Sequence, residues 1–278
     1  MRNLIVTACN EKYEKFLYND WYMSLKNNVN LYNIDILIID FGLSENIINK
    51  LKKEKNIIIK KANTKGNIVN ARFFELYKFL TENVNYKNIL SCDSGDIIFQ
   101  NDISKILNSE IINFMAVCED IKPPMDIILN NDNISNDLKK DIKDLLENKK
   151  MINAGVIFGN RESFISLLEF IINNIRDLNV WGLDQLLINY YLYKYGFKEL
   201  DDEYNFIPTT HISSFDIKDG KIYKSNGELV SIVHNAGGKS FFRPLKNFGY
   251  KNNKIRLNKT LVKSLRFVYK VFNRNKGV

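Results

Sequence analysis

The first third of the chain alternates short apolar runs with helix-patterned stretches, and this alternation restricts the fold more than any other feature. Residues 3–8 read as a strand with no solvent face. Residues 11–28 follow, with Phe16, Leu17, Trp21 and Leu25 at helical spacing. Residues 35–40 place Ile-Leu-Ile-Ile between two Asp. Ser44 stands as an N-cap ahead of Ile47, Ile48 and Leu51. A third strand at 57–59, a helix at 69–80 and a fourth strand at 88–92 complete the series. Apolar runs without polar alternation are buried on both faces, so the order predicts an α/β fold with a mostly parallel sheet between helices. Ligands of such sheets sit beyond the carboxyl ends of the strands.

The pattern then becomes less regular. A strand at 111–117 ends in Cys118-Glu119-Asp120, and residues 122–150 read as an inserted, mobile segment carrying a helix at 136–147. A strand at 152–159, helices at 161–175 and 183–195, and short strands near Phe206, Ile222 and Ile232 follow. The 278 residues suit one α/β unit with an appendage. With 45% hydrophobic and 26% charged residues, such a unit folds without a disulfide or a structural metal. Cys9, Cys92 and Cys118 match no zinc or disulfide spacing and read as reduced thiols. No run approaches the roughly 18–20 apolar residues of a membrane span, and the first residues are too short for a secretory signal. The chain is therefore expected in the cytoplasm.

The net charge of +8 is uneven. No acid follows Glu228, and residues 243–278 hold 11 Lys and Arg. Everything before them carries 29 basic and 32 acidic residues. The expected organisation is a slightly acidic domain, 1–242, and a basic tail, 243–278. A nucleic-acid binder using that tail and its aromatic residues is an alternative, but the main domain is acidic and lacks an RNA-binding signature.

Four segments carry chemistry. Asp93-Ser94-Gly95-Asp96 ends the fourth strand, and its paired hard oxygens suit Mg²⁺ or Mn²⁺ bridging to a diphosphate. The bland alternative is an Asx turn. Asn153-Ala154-Gly155-Val156 combines an amide with residues small enough for a ligand to reach the backbone. Asp184-Gln185 opens an apolar helix, where an Asp also complements the helix dipole. His234-Asn235-Ala236-Gly237-Gly238-Lys239 offers an imidazole for the metal, glycine amides and a cation. His211, by contrast, reads as a structural histidine.

In this order, on a frame of this size, the four segments resemble the GT-A-fold glycosyltransferases. The layout is most similar to family 8, the glycogenin and lipopolysaccharide galactosyltransferase-like enzymes, over about residues 3–240. That family has Asp-x-Asp, Phe-Asn-Ala-Gly-Val, Asp-Gln and His-x-x-Gly-x-x-Lys followed by Pro-Trp. Here the acidic motif is Asp-x-x-Asp, Lys239 lies one residue nearer the histidine, and no Pro-Trp follows it. Sugar-nucleotide pyrophosphorylases share the sheet type, but the loop after the first strand, Cys9-Asn10-Glu11-Lys12, has no Gly.

The resemblance implies a UDP-sugar donor, Mn²⁺ or Mg²⁺, and the hydroxyl of a surface-glycan acceptor, free or lipid-linked. It implies metal ligands at Asp93, Asp96 and His234. Thr7, Ala8, Cys9 and Asp40 would hold base and ribose, and Asn70 and Arg72 would face the donor. Gly237, Gly238 and Lys239 would close over the diphosphate. Asn153, Ala154, Asp184 and Gln185 would line the sugar. For an inverting enzyme the base is Asp184 or Asp120; for a retaining one Asp184 or Gln185 sits behind the anomeric carbon. Glu119 and Asp120 could bind sugar hydroxyls. In the tail, Leu261, Leu265, Val268 and Phe272 form one helical stripe flanked by cations, which suits an anionic membrane surface. The expected place is the inner face of the membrane.

Overall fold

The computed structural model describes residues 1–123, 129, 133–237 and 239–274. Strands β1 (Arg2–Cys9), β2 (Ile34–Asp40), β3 (Ile57–Lys61) and β4 (Tyr86–Cys92) are the apolar runs expected from sequence. They are followed by β5 (Ile97–Phe99), β6 (Phe114–Glu119), β7 (Met151–Asn160) and β8 (Lys198–Leu200). Seven of these form one sheet in the order β3-β2-β1-β4-β7-β6-β8. All neighbours are parallel except those of β7, which runs against both β4 and β6.

Helices cover both faces. Ile68–Glu82, Asn136–Leu146, Arg161–Asn174 and Leu183–Tyr195 share one core with β1, β2, β6 and β7. The other face is covered by the helical run after β1, by Glu45–Leu51, whose Ser44 cap accepts from Ile47 N, and by Ser104–Leu107. The run after β1 begins at Glu14 and contains a π-helical stretch, Leu17–Tyr22, where the wider turn lets adjacent Trp21 and Tyr22 both point inward.

Two sequence expectations need correction. The helix in the 122–150 segment is part of the core, because Leu138, Ile142 and Leu146 bury one face of it. Residues 124–128 and 130–132 of that segment lie outside the described residues. The sixth strand starts at Phe114 and not at 111, because Asn160 Nδ2 donates to the Ile111 and Ile112 carbonyls and holds them out of the ladder.

Strands β9 (Phe215–Lys218) and β10 (Lys221–Lys224) form a hairpin, and β11 (Ile232–His234) pairs antiparallel with β5. The basic segment begins within this packed body. Leu245 exchanges hydrogen bonds with the Asn235 side chain, Leu245 and Ile255 are buried, and Tyr250 N donates to Asp20. The last helix, Lys259–Arg274, buries Val262, and Arg266 donates to the carbonyls of Pro208, Thr209 and His211. Of the expected stripe, Leu261 and Leu265 are half-buried while Val268 and Phe272 are exposed, beside exposed Phe267 and Val271. Among the described residues no helix is long and apolar enough to cross a membrane.

Candidate active site

Strand pairing assembles the site. Antiparallel β4 and β7 set Cys92 opposite Val156, and Asp93 N then donates to Gly155 O at 3.0 Å. Strands β5 and β11 set His234 opposite Ile97, and Asn235 N donates to Asp96 O at 2.8 Å. Asp93, Asp96 and His234 converge as a result, with one ligand atom from each inside 4.8 Å of the others. His234 Nε2 lies 3.4 Å from Asp96 Oδ1 and 3.9 Å from Asp93 Oδ2.

A directional hydrogen-bond chain fixes the imidazole. Asn153 Nδ2 donates to Glu119 Oε1 at 3.0 Å, and Asn205 Nδ2 donates to Asn153 Oδ1 at 3.4 Å. Asn205 Oδ1 is thereby left to accept from His234 Nδ1–H at 3.0 Å. Nε2 then faces two carboxylates, an arrangement that calls for a proton or a metal cation between them. Burial opposes charge on His234, but Asp96 and Asp93 outweigh it and hold its pKa above the ordinary value. Gly155 completes the cradle: a methyl there would overlap His234 Cε1 and stand 2.9 Å from Asn153 Oδ1 and 3.0 Å from Asp93 Oδ2. Two carboxylates and one oriented imidazole fit Mn²⁺ or Mg²⁺.

Two arginines border the cluster. Arg72, from the helix Ile68–Glu82, pairs through Nη1 with Asp93 and through Nη2 with Asp184 at 3.5 Å. Arg243 donates to Asp96 Oδ2 at 3.0 Å and to Gly95 O at 2.9 Å, with its guanidinium 5.5 Å from the Tyr13 ring centre. Burial works against the Arg72 charge, yet Asp93 and Asp184 hold its pKa above normal. Burial would likewise raise Asp93, but Arg72 and His234 bring it below normal. For Asp184 burial prevails over Arg72 and lifts the pKa to about 6. Gly182, at φ 88°, lets the chain turn so that Leu183 enters the core and Asp184 meets Arg72.

Burial also lifts Glu119 from 4.5 to about 7, against the hydrogen bond from Asn153. Its folded pKa exceeds its unfolded one, so its favourable contribution is present at low pH and is lost as pH rises from about 4.5 towards 7. Glu119→Gln is therefore expected to stabilise the protein at pH 8 by up to about 3 kcal/mol and to have little effect at pH 4. Urea unfolding at the two pH values measures this, and equal effects at both would reject an uncharged buried carboxyl.

These groups line a cleft of about 920 Å³. Ala8, Cys9, Arg72, Asp93, Asp96, Asn153, Ala154, Asp184, Gln185, His234 and Gly237 all contribute to it. Thr7, Asp40, Asn70, Asp120 and Lys239 are not among the described residues lining it, and Gly238 lies outside the described residues. Asp40 Oδ1 instead accepts from Gly42 N and Leu43 N, closing the turn after β2. Asn70 Nδ2 donates to the Leu178 and Val180 carbonyls and anchors the loop carrying Trp181. Asp120 lies on the rim, accepting from Ile212 N and 3.7 Å from Lys150. A register shift between Ala116 and Cys118 accompanies this placement, with Glu119 turned into the cleft.

Sequence reasoning missed Tyr13, Trp181, Asn205, Tyr269 and above all Arg243. A signal for the last was present: Arg243-Pro244 repeats the cation-then-proline order of the family motif, a few residues beyond Lys239. Asn205 has no local signature, since only the fold brings it to His234.

The sheet order, the strand-end acidic pair and the cleft at that edge define the GT-A glycosyltransferase fold. Among solved structures, the chain is similar to the galactosyltransferase LgtC, determined in complex with donor and acceptor sugar analogs, at 14% identity and TM-score 0.57 over 95% of each chain. It is similar to the glycosyltransferase GlyE of Streptococcus pneumoniae TIGR4 at 16% identity and TM-score 0.55, covering 99% of this chain and 63% of GlyE. It also resembles the bifunctional glycosyltransferase WbbM at 12% identity and TM-score 0.56, covering 98% of this chain and 51% of WbbM. No protein-family model and no curated protein sequence matches the chain. At these identities the likeness establishes the fold.

Proposed function

We propose that the protein is a metal-assisted glycosyltransferase that moves a sugar from a UDP-sugar to a hydroxyl of a glycan acceptor. The observation that carries this reading is the Asp93, Asp96 and His234 cluster, with the imidazole Nε2 aimed at two carboxylates on the wall of a large cleft. Mn²⁺ or Mg²⁺ held there would supply Lewis-acid stabilisation of the diphosphate leaving group.

The chain's own residues take the remaining roles. Arg243 adds a fixed positive charge beside Asp96 for the diphosphate, in the place expected of Lys239. Ala8, Cys9 and the Tyr13 ring form the wall for the nucleoside. Asn153, Asp184 and Gln185 orient the sugar, with Asp184 held by Arg72. Of Glu119 and Asp120, Glu119 takes the acceptor-side role: it lines the cleft beside Thr210, and a carboxyl and a hydroxyl together suit a sugar hydroxyl, which both donates and accepts.

The test is thermal unfolding with UDP, GDP and UDP-sugars, with and without Mn²⁺. UDP with Mn²⁺ at 100 times its dissociation constant is expected to stabilise the fold by about 2.7 kcal/mol. A melting temperature indifferent to every nucleoside diphosphate, with either ion, removes the donor assignment.

The acceptor is taken to be lipid-linked, with the enzyme peripheral on the inner face of the membrane. Supporting this, the last helix exposes Phe267 (69%), Val268, Val271 and Phe272 (50%) beside Lys259, Lys263 and Lys270, while Tyr269 of the same helix lines the cleft. Full-length protein is expected to co-sediment with anionic vesicles at low salt. Replacing Lys259, Lys263 and Lys270 by Glu should weaken that binding by at least about 1 kcal/mol per charge. Equal sedimentation of both proteins would leave the helix a purely structural role.

A further inference from the structure

The last helix, Lys259–Arg274, turns one stripe towards the domain. Val262, Arg266 and Tyr269 fall at i, i+4 and i+7; the first is buried and the other two are half-buried. Asn258 caps the start of the helix, accepting from Leu261 N at 3.1 Å. Arg266 fixes its middle. The guanidinium donates to Pro208 O at 2.9 Å, to Thr209 O at 3.1 Å and to His211 O, a use of several fixed N–H groups that no other side chain offers. The same loop is tied from its other side to the end of β6, where Ile121 N donates to Thr210 O and Ile212 N to Asp120, both at 3.0 Å.

Tyr269 lies about one turn beyond Arg266 on the same helix face, and this anchoring brings it to the cleft. It lines the cleft with Glu119, Ile207, Thr209 and Thr210. Burial raises the pKa of its phenol, and Glu119 adds to the rise, so the ring lies within electrostatic reach of that carboxyl. The metal cluster and Arg72 come from other elements: the loop after β4, β11 and the helix Ile68–Glu82.

A pyranose ring carries hydroxyls around its rim and C–H bonds on its faces. A tyrosine ring matches such a face, and a carboxyl with a threonine hydroxyl matches the rim. We infer that Tyr269 is the apolar platform of the acceptor subsite, with one pyranose of the acceptor resting its C–H face on the phenol ring and turning hydroxyls to Glu119 and Thr210. The inference rests on the glycosyltransferase reading above. It makes the basic C-terminal helix a wall of the active site, needed for acceptor binding even where no membrane is present.

The test is saturation-transfer NMR on the full chain without lipid, with Mg²⁺ and UDP filling the donor site. The probes are the methyl pyranosides of glucose, galactose, mannose and N-acetylglucosamine. At least one is expected to receive saturation from the wild-type protein through its ring C–H protons. Tyr269→Ala and Tyr269→Leu remove the ring at two side-chain sizes and are expected to raise the dissociation constant of that glycoside about tenfold. Tyr269→Phe keeps the ring and should stay within about threefold of wild type. UDP binding should be the same in every variant. Ringless variants that bind the glycoside like wild type, or that lose UDP instead, overturn the inference, as does a Phe variant no better than Ala. UDP binding by the wild-type protein without saturation of any glycoside removes the subsite alone. A wild-type protein that binds no UDP removes the donor reading, and the subsite with it.

Discussion

Asp96→Ala is expected to abolish metal-dependent nucleotide binding and to lower sugar transfer at least about a thousandfold, with the fold retained. The residue lies in the loop between β4 and β5, outside the apolar clusters, so its loss opens no core cavity. It supplies one of three ligand groups, and its second oxygen holds Arg243 at 3.0 Å. Its removal leaves His234 Nε2 and Arg243 facing Asp93 alone, so a divalent ion loses a ligand while the local positive charge stays. Titration calorimetry with Mn²⁺ and UDP, together with initial rates, reads both effects. A folded Asp93→Ala, Asp96→Ala double variant with wild-type turnover is incompatible with the proposed site.

Arg72→Met is expected to produce the largest loss of stability, about 3–5 kcal/mol at pH 7. Met fills most of the space of the arginine stem, so the cost arises from the carboxylates left behind. Asp93 is kept below its ordinary pKa by Arg72. It contributes stability above its unfolded value of 3.8, and that contribution is lost as pH falls through its folded pKa. Asp184 already titrates at about 6 with the arginine in place, and moves higher without it. Both carboxyls are neutral at low pH, so the penalty should be greatest near pH 8 and shrink towards pH 4. Urea unfolding across that range measures it. A penalty that is flat with pH would mean that lost packing, and not uncompensated charge, is the cause.

A single hydrogen-bond chain links this electrostatic centre to Glu119 elsewhere in the cleft. Glu119, Asn153, Asn205 and His234 come from β6, β7, a loop and β11. Each amide is oriented by the next, so the tautomer of His234 depends on groups in other parts of the sheet. Gly155 packs against the middle of the chain, where no side chain fits.

The sequence by itself determined what depends on neighbours along the chain. Apolar runs without alternation specified β1, β2 and β4 as buried parallel strands, because only such strands have no solvent face. The Ser44 cap follows from local hydrogen bonding, and the start of the helix at Leu183 from an apolar run behind Gly182 with Asp184 in its first turn. The acidic pair was legible because Asp93 and Asp96 bracket a loop directly after a buried strand. The order of the four motifs was enough to indicate the GT-A fold. Tertiary structure alone decided what depends on register and closure. One irregularity between Ala116 and Cys118 separates a Glu119 in the cleft from an Asp120 on the rim, and no pattern in residues 111–120 announces it. Asp40, at the end of β2, was spent on a turn two and three residues ahead, which competes with any ligand for the same oxygen. Thr7 falls on the sheet face of Ile5 and Cys9, away from the helix that carries Arg72, and which helices cover which face is set by long-range packing. Arg243 reaches Asp96 across 147 residues because Leu245 and Asn235 lock the returning segment against β11. Such contacts form only when chain closure brings distant segments together.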